Sequence, residues 1–270
     1  PAMAKVKPTY MLSIPLVIEK IFRTKILPKL TNSAIKRKVY KIPWVRKKLH
    51  KIAGKKLKAL FGDALRFYGV GGAPLAPDVE KFLREGGFPY SIGYGTTETA
   101  PLIAGAAPFN TKYRSTGPAF KGMDVKIDNP NPETGEGEII VKGISVMIGY
   151  YLDKDLTAEA FTPDGWYKTG DLGVLDKDNY LYIRGRLKNM IIGASGENIY
   201  PEEIETFFYE NDNVVEVIVH ELENKLVARV HLDYEKIEEE FTGGSHSESK
   251  LKKRIDNILS DIKNEVNDNV

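Results

Sequence analysis

The stretch ALRFYGVGGAPLAPDVEKFLREGGFPYSI, residues 64–92, decides the fold. Its apolar beginning, 64–70, predicts a strand, and the turn rich in Gly and Pro that follows leads into a predicted helix at 78–85. Two glycines come directly after that helix, as they commonly do at helix ends. A second apolar run at 88–92 predicts another strand. Strand, helix and strand in this order are typical of a βαβ unit, so the stretch predicts a parallel sheet.

The chain before this unit is basic and is predicted to be mostly helical. In residues 1–62 apolar side chains recur at helical spacing, interrupted at Pro28 and Pro43. Segment 20–62 carries 15 of the 39 Lys and Arg residues and no Asp or Glu, which leaves 24 basic and 37 acidic residues elsewhere. The apolar run at 11–18 is shorter than the ~20 residues that cross a bilayer, and we interpret it as core.

After the βαβ unit the pattern becomes β-rich and then mixed. From about 116 to 184, short strands separated by Gly, Pro, Asn and Asp predict a barrel or a sandwich. A helix at 201–210, a hairpin formed by 214–220 and 225–232, and an amphipathic helix at 251–266 predict a small α+β domain. The apolar residues expected on one face of the last helix are Leu251, Ile255, Ile258, Leu259, Ile262 and Val266.

The predicted fold class is therefore α/β plus α+β. It comprises part of a large parallel-sheet domain with a β-rich subdomain, followed by a small α+β C-terminal domain. The predicted divisions are 1–62, a basic helical segment of the large domain; 63–115, its α/β part; 116–186, the β-rich subdomain; and 187–270, the small domain, expected to be incomplete. Residues 241–249, between the hairpin and the last helix, predict a loop.

Composition excludes several kinds of chemistry. The 270 residues are 42% hydrophobic and 28% charged, which is typical of a globular protein. There is no cysteine, so disulfides, thiol nucleophiles and thiolate metal sites are excluded, and a cytoplasmic location is expected. Four scattered histidines give little reason to expect zinc.

Residues 94–98, YGTTE, follow the second predicted strand of the βαβ unit. The carboxyl ends of parallel strands open on the crevice where α/β folds bind ligands. The hydroxyls of Thr96 and Thr97 can donate to phosphate oxygens, Glu98 is an oxygen ligand suited to Mg²⁺, and Gly95 permits close backbone approach. The alternative is an ordinary turn with Glu98 in solvent, and these five residues alone favour it.

Three further motifs are ambiguous when each is taken alone. GGAP at 71–74 allows a flat ring or a chain to approach the backbone, but it is also an ordinary tight turn. WYKTGDLG at 166–173 places Asp171 where a carboxylate could accept both hydroxyls of a ribose, although Thr-Gly-Asp is common turn chemistry. GRLKNMIIGASGENIYPEEIE at 185–205 joins a basic junction to a glycine-bearing loop and to a helix that begins at Pro201.

In this order, and together with GEIIVKGISVMIGYY at 137–151, these motifs resemble the adenylate-forming superfamily of acyl-CoA synthetases, luciferases and peptide-synthetase adenylation domains. KPTYMLSIPLVIEKI at 7–21 and GENIYPEEIE at 196–205 look most like long-chain fatty acid–CoA ligases. The resemblance implies two steps. A fatty carboxylate attacks the α-phosphate of ATP and releases pyrophosphate, and the thiol of CoA then displaces AMP from the acyl-adenylate.

The resemblance also implies residue roles. Glu98 would bind Mg²⁺ and Thr97 the α-phosphate, while Lys188 would be the hinge about which the small domain rotates between the two steps. Asp171 and Arg186 would hold the ribose. The remaining residues expected to contact ATP, acyl chain or CoA are Gly71, Gly72, Ala73, Pro74, Tyr94, Gly95, Thr96 and, beside the pantetheine channel, Gly196.

Two elements of the family pattern are missing. A Ser/Thr/Gly-rich phosphate loop resembling TSGTTGxPKG occurs nowhere in the sequence, and no late lysine in a GK context precedes Val270. We therefore expect a central-to-C-terminal piece of a ligase, roughly half of the enzyme and by itself inactive. The alternatives are another acyl- or aryl-CoA ligase, a luciferase-like adenylating enzyme, and a non-catalytic basic module that binds lipid or nucleic acid.

The expected partners are fatty acid, ATP and CoA, with an anionic membrane surface as a candidate for the basic segment 20–62. Lysine and arginine near anionic lipid favour peripheral binding at the inner membrane surface. A solvated helical face explains the same charges equally well. Nucleic acid ranks lower and is not expected as a partner, because no base-reading motif accompanies the charge.

Overall fold

The computed structural model of the protein describes residues 2–193, 197–209, 211, 213–223, 225–239 and 248–267. The chain forms two compact units, Pro1–Arg184 and Gly185–Val270. The finer division into four parts, with a separate small C-terminal domain, stays a prediction.

The first unit is built on the predicted parallel strands. β1 (Tyr10–Ser13), β2 (Phe67–Val70) and β3 (Tyr90–Tyr94) pair in parallel in that order, and β4 (Ala104–Gly105) is antiparallel to β3. Helix α6 (Pro77–Glu85) connects β2 to β3, so the βαβ unit is confirmed.

Residues 1–62 are mostly helical as predicted, but the sequence pattern did not identify β1. Only four residues long, β1 is too short to show a clear periodic pattern. After Ile14, Pro15 begins the next helix, as proline commonly does at a first helical position. Pairing with β2 makes the run a strand. The other elements of this segment are helical: α1 (Ala2–Val6), α2 (Pro15–Ile21), a π-helical turn (Phe22–Ile26), α3 (Leu27–Thr31), α4 (Ala34–Tyr40) and α5 (Pro43–Leu60).

Helix α6 covers the parallel sheet with an apolar face. Val79, Phe82 and Leu83 lie at i, i+3 and i+4 and are fully buried. Helix α5 packs against α6 at a pair of glycines, where a Cβ on Gly54 would overlap the backbone of Gly86. The two helices therefore approach backbone to backbone.

The β-rich region forms one four-stranded sheet. β5 (Met123–Asp128), β6 (Gly137–Gly143), β7 (Tyr167–Leu175) and β8 (Leu181–Arg186) lie in that order, and β6 is antiparallel to both β5 and β7. A short helix, α7 (Lys154–Ala160), precedes β7. The region is β-rich as predicted, but its described residues form a single sheet and not the expected barrel or sandwich.

The second unit matches most of its sequence pattern. Its elements are β9 (Ile191–Ile192), β10 (Asn198–Ile199), α8 (Pro201–Phe208), β11 (Val214–Leu222), β12 (Lys225–Leu232), α9 (Tyr234–Glu239) and α10 (Glu248–Asn267). In α10, Ile258, Ile262 and Val266 are buried, but Leu259 is 39% exposed, so its assignment to the apolar face is wrong. One residue step rotates Leu259 about 100° from Ile258, away from the core. The predicted loop lies mostly at 241–247, outside the described residues.

Within the described ranges, no helix combines the length and the apolar character needed to cross a bilayer.

The contact of α5 with α6 gives a stability prediction. We expect Gly54→Ala to lower the free energy of unfolding by about 1–3 kcal/mol, because the added methyl group meets the backbone of Gly86, which has no flexible end to move aside. Alanine is intrinsically the better helix former by about 1 kcal/mol, so a net loss would show that the close approach dominates.

Urea denaturation measures the change. Lys56→Ala, on the exposed side of the same helix, is the control and should change the free energy by no more than about 0.5 kcal/mol. Equal stability of Gly54→Ala and the wild type would contradict this account of the packing.

Candidate active site at the ends of the parallel strands

The loop after β3 is held by hydrogen bonds among its own threonines. The backbone N–H of Thr96 donates to the Thr99 hydroxyl at 3.0 Å, and that hydroxyl donates to the Thr96 carbonyl at 2.9 Å. Thr99 is buried, and a single 3₁₀ turn at Thr97–Thr99 leaves the Thr97 side chain exposed. The loop therefore presents Thr97 to solvent from a backbone that is already fixed.

Gly95 has a packing reason to be glycine. A Cβ at this position would overlap the carbonyl oxygen of Pro101, because the chain folds back on itself after the 3₁₀ turn. This contact accounts for the glycine without a ligand. Its proposed role in close approach to a nucleotide therefore rests on the family resemblance.

Glu98 is held as a carboxylate by hydroxyl donors. Tyr150 Oη donates to Glu98 Oε1 at 2.9 Å, and the Glu98 carbonyl accepts the backbone N–H of Met147 at 2.7 Å. Burial alone would raise the pKa of Glu98. Hydrogen bonds from its own backbone N–H and from Tyr150, Thr96 and Tyr167 outweigh burial and lower the pKa below its usual value.

Tyr167 also belongs to this hydroxyl cluster. Burial raises the pKa of Tyr167 to about 12, and the neighbouring Glu98 carboxylate acts in the same direction. A hydrogen bond with Thr96 opposes this shift without cancelling it. The phenol therefore stays protonated at neutral pH. The cluster thus has one negative charge, on Glu98, with neutral hydroxyl groups around it.

A second hydrogen bond joins two of the sequence motifs. Tyr94 Oη donates to Asp171 Oδ2 at 2.7 Å, which connects the end of β3 to the middle of β7. Asp171 is buried, and its backbone N–H donates to the Thr169 hydroxyl at 3.1 Å. YGTTE and TGD, more than seventy residues apart in the chain, are thus neighbours at one edge of the parallel sheet.

The GGAP turn leaves β2 beside the end of β3. The Cβ position of Gly71 lies 3.2 Å from the carbonyl oxygen of Gly93, whereas Gly72, at φ +88°, has no atom within 4 Å of its Cβ position. Gly72, Ala73 and Pro74 are exposed. The turn therefore faces open space.

Side chains from two other segments fix the backbone directly after this turn. Glu19 Oε1 accepts the backbone N–H of Ala76 at 2.8 Å. Arg114 Nη1 donates to the Leu75 carbonyl at 3.2 Å, and Tyr113 Oη donates to the Pro77 carbonyl at 3.2 Å. Three side-chain hydrogen bonds thus hold the backbone that follows the exposed turn.

The remaining predicted site residues belong to the second unit. Arg186 ends β8 with an exposed side chain, and its carbonyl accepts the backbone N–H groups of Asn189 and Met190, both at 3.1 Å. Lys188 lies in the turn that these bonds close and is also exposed. Gly196 lies outside the described residues.

Sequence reasoning missed Tyr150 and Tyr167 as site residues. Both occur inside quoted motifs, GISVMIGYY and WYKTGDLG, but each motif contains a second large aromatic residue. Tyr151, next to Tyr150, is exposed. Nothing in the spacing distinguishes the tyrosine that contacts Glu98 from its neighbour, so only the folded arrangement identifies it.

The described part of the chain gathers no group of three or more His, Asp or Glu side chains that could hold a metal ion unaided. Mg²⁺ in nucleotide sites typically takes one or two carboxylates, with substrate phosphates and waters completing its shell. An ionised Glu98 beside exposed Thr97 fits that kind of site.

Comparison with known proteins identifies the class. The AMP-binding enzyme family matches residues 2–151, more than half of the chain. The chain belongs to this family.

Particular relatives are CoA ligases. A putative acyl-CoA synthetase of Bacillus subtilis is 42% identical over 158 residues, which are 55% of this chain and 29% of the relative. A long-chain-fatty-acid–CoA ligase of Mycobacterium bovis is 33% identical over 226 residues, 76% of this chain and 36% of the relative. The chain thus spans about a third of the length of these curated relatives.

A solved structure shares the fold. O-succinylbenzoate coenzyme A synthetase from Bacillus subtilis, in complex with ATP and magnesium ion, superposes with a TM-score of 0.65 at 28% sequence identity. The match covers 86% of this chain and 43% of the synthetase. The mixed α/β fold class predicted from the sequence is confirmed, as is its resemblance to the adenylate-forming superfamily.

The geometry around Glu98 gives a prediction about ionisation. We expect Tyr150→Phe to raise the pKa of Glu98 towards its usual value, since the variant loses a hydroxyl that donates to the carboxylate. The lowered pKa stabilises the folded state above the pKa that Glu98 has when unfolded, and this contribution disappears as the pH falls through the folded pKa. The variant should therefore lose part of that stabilisation at neutral pH.

An NMR titration of the Glu98 side-chain carboxyl measures the shift. Tyr151→Phe removes the neighbouring, exposed hydroxyl and is the matched control, expected to leave the titration of Glu98 unchanged. Identical titration curves for the two variants would contradict the assignment of Tyr150 as a donor.

Proposed function

We propose that this chain is part of an ATP-dependent acid–thiol ligase that activates a fatty carboxylate as an acyl-adenylate and transfers the acyl group to CoA. The observation that carries the proposal is the meeting of YGTTE and TGD at one edge of the parallel sheet, through the Tyr94–Asp171 hydrogen bond. Ligands of α/β folds bind at the carboxyl ends of the strands. Membership of the AMP-binding enzyme family supports the same reaction class.

Glu98 and Thr97 are the proposed residues at the reacting phosphate. The ionised Glu98 would hold Mg²⁺, and the exposed Thr97 hydroxyl would donate to an α-phosphate oxygen. Mg²⁺, when bound, supplies charge neutralisation for the phosphates. Reactions of this type depend mostly on positioning and electrostatic stabilisation, and the loop provides both from a backbone fixed by Thr96 and Thr99.

Asp171 and the GGAP turn are the proposed contacts for the nucleoside. One carboxylate oxygen of Asp171 already accepts the Tyr94 hydroxyl, which fixes its orientation. A carboxylate has about four acceptor positions, so acceptance from ribose hydroxyls is compatible with that bond. The open space in front of Gly72 suits the adenine ring or an acyl chain. Tyr94, Gly95 and Thr96 would complete this wall.

Three residues of the second unit have roles proposed from the resemblance. Arg186 would bind the ribose, Lys188 would be the hinge between the two half-reactions, and Gly196 would border the pantetheine of CoA. The exposure of Arg186 and Lys188 is compatible with residues that contact a ligand or a moving segment.

The proposed acyl substrate is a long-chain fatty acid. KPTYMLSIPLVIEKI and GENIYPEEIE support it, as does the relative named as a long-chain-fatty-acid ligase. The structural relative named for O-succinylbenzoate makes an aryl-CoA ligase the second candidate. We also propose that the 270 residues alone have negligible activity, since a missing electrostatic donor typically costs about 10²–10³ in rate and a whole phosphate loop is missing from them.

The basic segment 20–62 is proposed to contact an anionic membrane surface. A fatty acid partitions into membranes, so an enzyme that takes it from there gains from residence at the surface. Each Lys or Arg near anionic lipid contributes about 1 kcal/mol.

ATP–pyrophosphate exchange driven by palmitate tests the ligase proposal. In the full-length protein that contains this chain, we expect Glu98→Gln to lower exchange by about 10²–10³, because the amide removes the negative charge that would hold Mg²⁺. Glu133→Gln, at an exposed turn, is the matched control and should retain wild-type exchange.

Substrate comparison completes this test. Exchange with palmitate and not with O-succinylbenzoate is the expected result, and the reverse would establish the second candidate. Absence of exchange with any carboxylate in the full-length protein would refute the ligase proposal. Robust exchange by the 270-residue chain alone would refute only its proposed inactivity.

A further inference from the structure

Residues 33–48 comprise α4, the turn after it and the beginning of α5, and we call this region the elbow. It is the most exposed part of the basic segment. Helix α4 buries none of its residues, although Ser33 caps its beginning by accepting the backbone N–H of Lys36 at 3.2 Å. Only Lys41 and Ile42 separate α4 from α5, and the N–H of Ile42 donates to the Val39 carbonyl at 3.1 Å. The two helices therefore meet in a tight, ordered turn.

Four large apolar side chains of this elbow face solvent. Ile35 is 76% exposed and Trp44 is 64% exposed, and Val39 and Ile42 are exposed as well. Ile35 and Val39 lie one helical turn apart on the same face of α4. Single exposed apolar residues are ordinary on protein surfaces, but several in one elbow mark an interaction surface.

Cations surround these side chains. Lys48 Nζ lies 5.2 Å from the centre of the Trp44 ring. The other exposed cations at the elbow are Lys36, Arg37, Lys38, Lys41 and Lys47. Segment 20–62 contains no Asp or Glu to offset them. The elbow therefore combines an apolar centre with an uncompensated basic rim.

We infer that the α4–α5 elbow inserts Ile35, Val39, Ile42 and Trp44 into the boundary region of an anionic lipid bilayer. Basic rims attract anionic headgroups, and interfacial helices place aliphatic side chains and tryptophan between headgroups and acyl chains. This inference rests on the proposed membrane contact of segment 20–62, for which it names the inserting residues, and it does not depend on the ligase reaction.

A nucleic acid fits the same cations less well. Phosphate contacts would use the lysines and Arg37, but they would leave the aliphatic Ile35 and Val39 without a function. A bilayer uses both the charge and the apolar centre, so we commit to lipid and make nucleic acid an outcome of the test.

Fluorescence of Trp44 tests insertion directly. The chain has two tryptophans, and Trp166→Phe leaves Trp44 alone while keeping an aromatic ring near Lys126. With vesicles of phosphatidylcholine and phosphatidylglycerol, we expect the Trp44 emission to shift to shorter wavelength and to be quenched by lipids brominated on their acyl chains. Vesicles of phosphatidylcholine alone should give neither effect.

Matched variants separate insertion from charge attraction. Ile35→Ser, which adds no charge, should weaken binding to the anionic vesicles about tenfold, whereas Ile144→Ser, at a side chain exposed outside the basic segment, should leave it unchanged. Lys36→Gln with Lys38→Gln should weaken binding on the order of 25-fold, since two cations near the surface are lost. Circular dichroism confirms that each variant is folded.

Four results would overturn the inference. Vesicle binding without a change in Trp44 emission, or vesicle binding unaffected by Ile35→Ser, would leave the membrane contact standing and remove insertion. Failure to bind anionic vesicles would remove both. Binding of a DNA duplex with no binding to vesicles would assign the basic segment to nucleic acid, and none of these results bears on pyrophosphate exchange.

Discussion

The parallel pairing of β2 with β3 is the constraint on which the rest of the candidate site depends. Val70 pairs with Ile92, so the two strands end almost level and the chain leaves both at the same edge of the sheet. GGAP and YGTTE follow these two ends, which is why the Cβ position of Gly71 lies 3.2 Å from the carbonyl oxygen of Gly93. Helix α6 makes this arrangement possible, because it carries the chain back across the sheet and buries Phe82 and Leu83 on it.

The antiparallel sheet and the segment between β6 and α7 supply hydrogen-bonding partners for the end of β3 and the loop after it. Tyr167 and Asp171 come from β7, and Tyr150 comes from the segment between β6 and α7. Each contacts a residue at the end of β3 or in the loop after it, and the two partners are more than fifty positions apart in the chain. The tyrosine hydroxyls of Tyr150 and Tyr94 donate to the two carboxylates and so fix both in position, and at Glu98 the donated bond also lowers the pKa.

The βαβ unit could be predicted because its signals are local. Apolar runs of strand length, a helix ended by two glycines, and a turn with proline occur in one stretch of about thirty residues and agree with one another. β1 could not be predicted in the same way, since four residues carry no clear period and only pairing with β2 makes Tyr10–Ser13 a strand. Leu259 shows the limit of a helical pattern, because an apolar residue at the margin of a face can turn to either side.

The candidate site could be predicted only in part, because its motifs are local in the sequence and its hydrogen bonds join distant segments. The motifs make Glu98 and Asp171 candidate site residues, but they do not identify the partners of these carboxylates, because a hydrogen bond between Tyr150 and Glu98 has no sequence signature. Gly95 shows a different difficulty, because one residue can have two explanations. Its presence in a phosphate-binding pattern suggested ligand approach, while the fold itself requires glycine there because of the Pro101 carbonyl.

The charges at the candidate site have a further consequence for the proposed reaction. Glu98 is kept ionised by neutral hydroxyl groups, with no cation among the causes that lower its pKa. Its negative charge is therefore stabilised but not cancelled, and it would repel the phosphates of a nucleotide that approached alone. A divalent cation between carboxylate and phosphate turns this repulsion into two attractions, so the arrangement of Tyr150, Tyr167 and Thr96 around Glu98 favours a metal-bound nucleotide over the free one. The same hydroxyls that lower the pKa of Glu98 would thus make the site selective for ATP with its magnesium.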